Sequence, residues 1–232
     1  MLADAALVVG AYLLGSLPYA LLLARAKGLD VSQEEDLHDA LWRKVGRPEG
    51  LSAALIDVLK GVVPILIGFA LGFGLLPIAL AGVAAVAGQM WPIFQKFDGE
   101  RGNTTGLGTV ATLTIVYNAW LVLVIALIPV AIGFGIRTVP RFMAPGQTIN
   151  KRLELGGPPS RGLPLGVGIG FAAAPLASWG LRQSPEMTLA LVILFIAIMI
   201  RRLTADLRTD LKTATNVKSI VINRLLYDRS YL

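Results

Sequence analysis

Long uncharged runs alternate with short charged knots from one end of the chain to the other. An apolar stretch of about 20 residues is what an α-helix needs to cross roughly 30 Å of hydrocarbon, and several runs meet that length. Residues 5 to 24 predict one span. Residues 61 to 95 carry no charge and, with 51 to 60 ahead of them, predict two spans broken near "GFGLLP". Residues 162 to 181 predict another, and 187 to 200 a short one that the polar flank at Gln183 and Ser184 extends. Residues 102 to 136 are long for one helix and short for two.

The distribution of basic residues decides between these readings, because short cytoplasmic loops collect lysine and arginine. If 102 to 136 is two short helices turning near "YNAW", the chain has about seven spans with its N-terminus outside and its C-terminus cytoplasmic. Nineteen of the 21 basic residues then lie inside, with Arg182 outside and Lys60 within the membrane. If the stretch is one helix, the later segments change sides and the division becomes eight against twelve. The expectation is therefore an all-α integral membrane protein. Residues 1–200 would form a seven-helix membrane domain and 201–232 a basic cytoplasmic tail.

Composition agrees with this picture and narrows the chemistry. Hydrophobic residues make up 55% of the 232 and charged ones 16%, more apolar surface than a soluble core of this size needs. Without cysteine there is no disulfide framework or thiolate metal site, and the single His38 argues against a histidine metal centre. No metal or cofactor is expected, and nucleic acid is not an expected partner. The first span starts "MLADA", without the positive charge of a signal peptide, and is read as uncleaved. No internal repeat of useful length supports an inverted-repeat transporter. Residues 138 to 161, with "APGQ" and "GGPPS", read as an irregular loop. Leu203, Leu207 and Leu211 recur at helical spacing among basic residues, which fits either a helix on an anionic membrane surface or a solvated tail.

Three charged knots carry the candidate chemistry. In "WPIFQKFDGERGNTTGLG" (91–108), a tight loop leads into a helix whose unpaired N–H groups, with Arg101, Thr104 and Thr105, would suit a phosphate; an ordinary capped turn is the other reading. In "IDVLKG", Asp57 and Lys60 share a helix face three residues apart. Ionisable groups inside a span pair or line a polar cavity, so Lys60 either adds positive field to an anion site or belongs to a structural pair. The first loop, "GLDVSQEEDLHDALWRKVGRPEG", is acidic and then basic. There Arg43, Lys44 and Arg47 would attract phosphates and Glu34, Glu35 and Asp36 would repel them, with His38 read as a surface residue.

Taken together, "AYLLGSLPYALLLAR", "LIDVLKG" and "AGQMWPIFQKFDGERGNTTGLG" resemble the bacterial integral-membrane acyl-phosphate:glycerol-3-phosphate acyltransferases, the PlsY family. The resemblance covers residues 11 to about 125 closely and the last third as topology. It implies transfer of a fatty acyl group from acyl-phosphate to glycerol 3-phosphate, with membrane lipids as surroundings and the substrate's own phosphate helping to take the proton. It also implies roles for particular residues. Arg43, Lys60 and Arg101 would be catalytic cations, Gly99, Gly102, Thr104 and Thr105 would bind phosphate, and Asp57 and Gly61 would support them. The chain departs from the family signature at Gln89, where the family has histidine, at Asp98 and Glu100, and in "QEEDLHDA". Pro164, Leu203 and Asp206 stand where later family motifs are expected. A diverged paralogue that binds lipid without this reaction is the alternative that those acidic residues motivate.

Overall fold

A computed structural model describes residues 1–31, 34, 37–143, 145–146, 161–205, 207–213 and 216–229. They form helices and turns, with no strand among them. The helices are α1 (Leu2–Gly15), α2 (Tyr19–Ala26), α3 (Leu37–Ala40), α4 (Arg47–Ala70), α5 (Leu75–Met90), α6 (Asn103–Val116), α7 (Trp120–Met143), α8 (Gly162–Gly180), α9 (Pro185–Thr204), α10 (Leu207–Thr213) and α11 (Val217–Tyr227). The chain divides into two compact units, Met1–Asn118 and Ala119–Leu232.

Breaks fall where the backbone chemistry demands them. Pro18 separates α1 from α2 because it lacks the N–H that would continue the helix. Pro48 lies in the first turn of α4, where its missing N–H costs nothing. The predicted break near "GFGLLP" is the turn between α4 and α5, and Gly72 takes a positive φ of 75° there. The stretch 102 to 136 does split at "YNAW", between Val116 and Trp120.

Among the described residues, six segments are long and apolar enough to cross a membrane: Leu2–Ala26, Arg47–Ala70, Leu75–Gln95, Trp120–Pro140, Gly162–Gly180 and Pro185–Thr204. The sequence pattern predicts about seven. The remaining predicted span, α6, has 14 residues, about 21 Å at 1.5 Å per residue and short of a full hydrocarbon core.

In the first unit, close backbone contact locks the helices together. α1 lies on α5 through Ala11, Ala81 and Ala85, and small residues of this kind let membrane helices approach. The Tyr12 hydroxyl donates to the Trp91 carbonyl at 2.7 Å and ties α1 to the end of α5. α4 meets α6 so closely that a Cβ on Gly61 would stand 2.3 Å from the Thr105 carbonyl oxygen, and one on Gly108 2.5 Å from that of Val58. Only glycine fits at either position. This contact sets the two charged knots of the sequence side by side.

In the second unit α8 packs against α7, α9 and α11. The buried Arg202 donates to the carbonyls of Pro164 at 3.0 Å and Leu225 at 3.3 Å, joining the starts or ends of three helices. Segment 201–232 differs from a single amphipathic helix. α9 runs to Thr204, α10 starts afresh at Leu207, and α11 buries Ile220 and Arg224. Leu203 therefore stands on a different helix from Leu207 and Leu211, while Asp206 and most of the 138–161 loop lie outside the described residues.

Candidate active site

Asp57 and Lys60 face the same way from the middle of α4, one turn apart. Both are almost wholly buried, and the Lys60 ammonium stands 2.7 Å from Asp57 Oδ1. Gln89, from the last turn of α5, closes a triangle: its Oε1 accepts from Lys60 Nζ at 2.6 Å and its Nε2 donates to Asp57 Oδ2 at 3.0 Å. From α6, the Thr105 hydroxyl donates to the Asp57 backbone carbonyl at 2.8 Å. Removing one partner from a buried ion pair strands the other charge and costs about 3–5 kcal/mol, so such a pair survives where its polar atoms are answered.

The first loop adds a residue that the sequence reading left on the surface. His38, on α3, places Nε2 2.7 Å from Asp57 Oδ2 and 3.7 Å from Glu100 Oε2, with its side chain only 22% exposed. Glu100 comes from the loop before α6. Burial pushes its carboxyl up to about 7, and the Asp57 charge pushes the same way against the pull of His38 and Lys60. A carboxyl balanced near neutrality beside an imidazole is a group able to hold or release a proton at working pH. His38, Asp57 and Glu100 also bring three metal-ligating atoms within 4.8 Å of one another, a donor set that a divalent cation could use. Lys60 pairs with Asp57 Oδ1, while His38 and Gln89 share Oδ2.

The loop 91–102 folds back on the end of α5. The amides of Gly99 and Glu100 donate to the carbonyls of Met90 and Gln89 at 3.2 and 3.1 Å. A Cβ on Gly99 would lie 2.3 Å from the Gln89 carbonyl oxygen. Gly102 turns the chain into α6 with φ 72°, a left-handed conformation natural to glycine.

The predicted site residues thus fall into three groups. Asp57, Lys60, Gly61 and Thr105 meet at the α4–α6 contact. Gly99, Arg101, Gly102 and Thr104 form the neighbouring loop and first turn of α6, with Arg101 and Thr104 partly buried. The Gly99 amide and the Thr105 hydroxyl are committed to protein carbonyls. Arg43 is the third: its side chain is 58% exposed and pairs with Asp39 at 2.5 Å. Of the acidic residues in the first loop, Glu34 pairs with Lys44, and Glu35 and Asp36 lie outside the described residues.

His38, Gln89 and Glu100 are the site members that the sequence reading missed. Gln89 and Glu100 were visible only as departures from a family signature, and His38 as a lone histidine.

The profile of the glycerol-3-phosphate acyltransferase family matches residues 5–148, more than half of the chain and all of the network just described. The chain belongs to that family. A glycerol-3-phosphate acyltransferase of Geobacter metallireducens is 41% identical over 111 residues, which span 47% of this chain and 57% of that relative. The chain thus spans little more than half the length of that relative. "Glycerol-3-phosphate acyltransferase 5" of Dehalococcoides mccartyi is 29% identical over 238 residues, 96% of this chain and 87% of the relative. Among solved structures, PlsY, an integral membrane glycerol 3-phosphate acyltransferase, shares the fold. Its lysophosphatidic acid form superposes with a TM-score of 0.66 at 22% identity, covering 96% of this chain and 98% of that one. Its glycerol 3-phosphate form gives 0.66 at 23% identity, covering 91% and 92%. The protein is therefore an all-α integral membrane member of this family.

Proposed function

We propose that this protein transfers a fatty acyl group from acyl-phosphate to glycerol 3-phosphate, giving lysophosphatidic acid and inorganic phosphate. The carrying observation is that the family match encloses the buried Asp57, Lys60, Gln89 and Thr105 network together with the loop before α6. Acyl-phosphate is a mixed anhydride and already activated, so the main demand is to orient two phosphates and stabilise charge. The acceptor's hydroxyl oxygen bonds to the acyl carbon, the bond from that carbon to the phosphate oxygen breaks, and phosphate departs. The hydroxyl proton ends on the phosphate.

In this scheme Arg101 and Lys60 supply fixed positive charge, and Arg43 joins them from the first loop. Thr104 and the first-turn amides of α6, opened by Gly102, hold phosphate oxygens. Gly99 shapes the loop, while Asp57, Gly61 and Thr105 hold Lys60 in place. The basic-residue distribution supports an active face on the cytoplasmic side of a bacterial plasma membrane, with α6 as a seventh crossing and the N-terminus outside.

Purified protein in detergent, supplied with palmitoyl-phosphate and glycerol 3-phosphate, should form lysophosphatidic acid. Arg101→Ala should lower the rate about 100-fold or more, the usual loss on removing one group that stabilises developing charge. No product from well-folded protein, or an unchanged rate in the variant, would sink this reading.

A further inference from the structure

The outer side of α11 is apolar although the helix lies beyond the last span. α11 has 11 residues, about 16 Å at 1.5 Å per residue. At roughly 100° per residue, Ile220, Asn223, Arg224 and Tyr227 share one side of it, where Ile220 and Arg224 are buried. Val217, Val221, Ile222, Leu225 and Leu226 share the other, and each is between 36% and 55% exposed. A contiguous stripe of this kind on a short helix marks a surface that another apolar phase covers.

The contacts of Arg202 fix the depth at which the stripe lies. This residue, in the last turn of α9, donates to the Leu225 carbonyl of α11 and to the Pro164 carbonyl in the first turn of α8. α8 and α9 are both long and apolar enough to cross a membrane. Their adjoining ends therefore mark the level where hydrocarbon gives way to head groups, and α11 packs against both helices.

Charge is sorted between the two sides of α11. On the inner side Arg224 pairs with Asp210, and Arg202 lies 4.0 Å from Asp228. Among the described residues, the exposed charges on α10, on α11 and just ahead of α8 are basic: Lys212, Lys218 and Arg161. Lys218 stands on the same side as the apolar stripe, and the Arg161 guanidinium lies 5.4 Å from the centre of the Tyr227 ring. Basic charge beside an apolar stripe complements acyl chains lying beneath anionic phosphates.

We propose that α11 is an interfacial helix that docks on acidic phospholipid of the surrounding bilayer. Its apolar stripe enters the acyl layer, and Lys212, Lys218 and Arg161 meet the phosphates. This assignment stands independently of the acyltransferase reading, since it uses only the second unit and the bilayer.

Because the chain has no native cysteine, Ile222→Cys and Leu225→Cys in the full-length protein can each carry an NBD fluorophore. The labelled protein is placed in nanodiscs of phosphatidylcholine with one-fifth phosphatidylglycerol, with bromine on the acyl chains of one lipid or the other. NBD at both positions should be quenched by brominated lipid and shielded from aqueous iodide. Brominated phosphatidylglycerol should quench beyond its share of the bilayer. Lys218→Gln, at an exposed position, should lower that preference about fivefold, the usual effect of one basic residue at an anionic surface, with the unfolding midpoint unchanged. Quenching by iodide would put the stripe in water and overturn the proposal. Shielding from both quenchers would overturn it in favour of a second copy of the chain as the cover. Equal quenching by the two brominated lipids would overturn the choice of acidic phospholipid.

Discussion

Asp57 is the residue on which the candidate site turns, because side chains from α3, α4, α5 and α6 reach it or its carbonyl. Its spacing from Lys60 is legible in the sequence, since an i,i+3 pair shares a helix face. His38, Gln89 and Thr105 lie 19, 32 and 48 residues away along the chain, and no local pattern links them to it. Glu100 gives this cluster a pH signature. A carboxyl raised from 4.5 to about 7 binds its proton more tightly in the folded state. Its stabilising contribution is complete below 4.5 and is lost as pH rises through about 7. Thermal unfolding of the detergent-solubilised protein from pH 5 to 8 should therefore show wild type falling in Tm relative to Glu100→Gln. Parallel curves would show that Glu100 is not held protonated.

At the scale of elements, glycine contacts decide which helix touches which. Helix positions were largely readable from uncharged runs and punctuation: the break between α4 and α5 and the turn between α6 and α7 fall where glycine, proline or polar residues interrupt the pattern. Their partners were not readable, because Gly61 and Gly108 look like any other glycines until α6 is seen against them. Gly61→Val should force α4 from α6, since its Cβ alone would lie 2.3 Å from a carbonyl. The expected loss is about 1–3 kcal/mol from overpacking alone, and more from the disturbed bond between Thr105 and Asp57. Gly135→Val, in open space, should cost little. Unfolding midpoints measured in one detergent would check both, and equal midpoints would remove the close contact from the account.

For the whole molecule, the uncharged runs and basic knots pointed to a multispanning helical protein, and among the described residues six segments meet the length and hydropathy of a crossing. α6 decides the parity. Its 14 residues and buried threonines at 105, 109, 112 and 114 make it a short helix whose polar side is turned into protein. Because the chain has no native cysteine, single cysteines report sidedness directly. With α6 crossing, Ala3→Cys should react with an impermeant maleimide in intact cells and Lys218→Cys only after permeabilisation. Reaction of both from the same side would make α6 a re-entrant element and leave six crossings.

By itself the sequence determined that this chain is helical, where its helices break, and that three charged knots interrupt an apolar polymer. Those properties follow from local chemistry: hydropathy over about 20 residues, the conformational limits of proline and glycine, and the cost of a charge in hydrocarbon. The tertiary structure decided that His38 leaves the surface for Asp57 and that Gln89 bridges Asp57 and Lys60. Each of these depends on contacts between residues far apart in the chain. Such contacts are set by how closely helix backbones approach, which no single segment encodes.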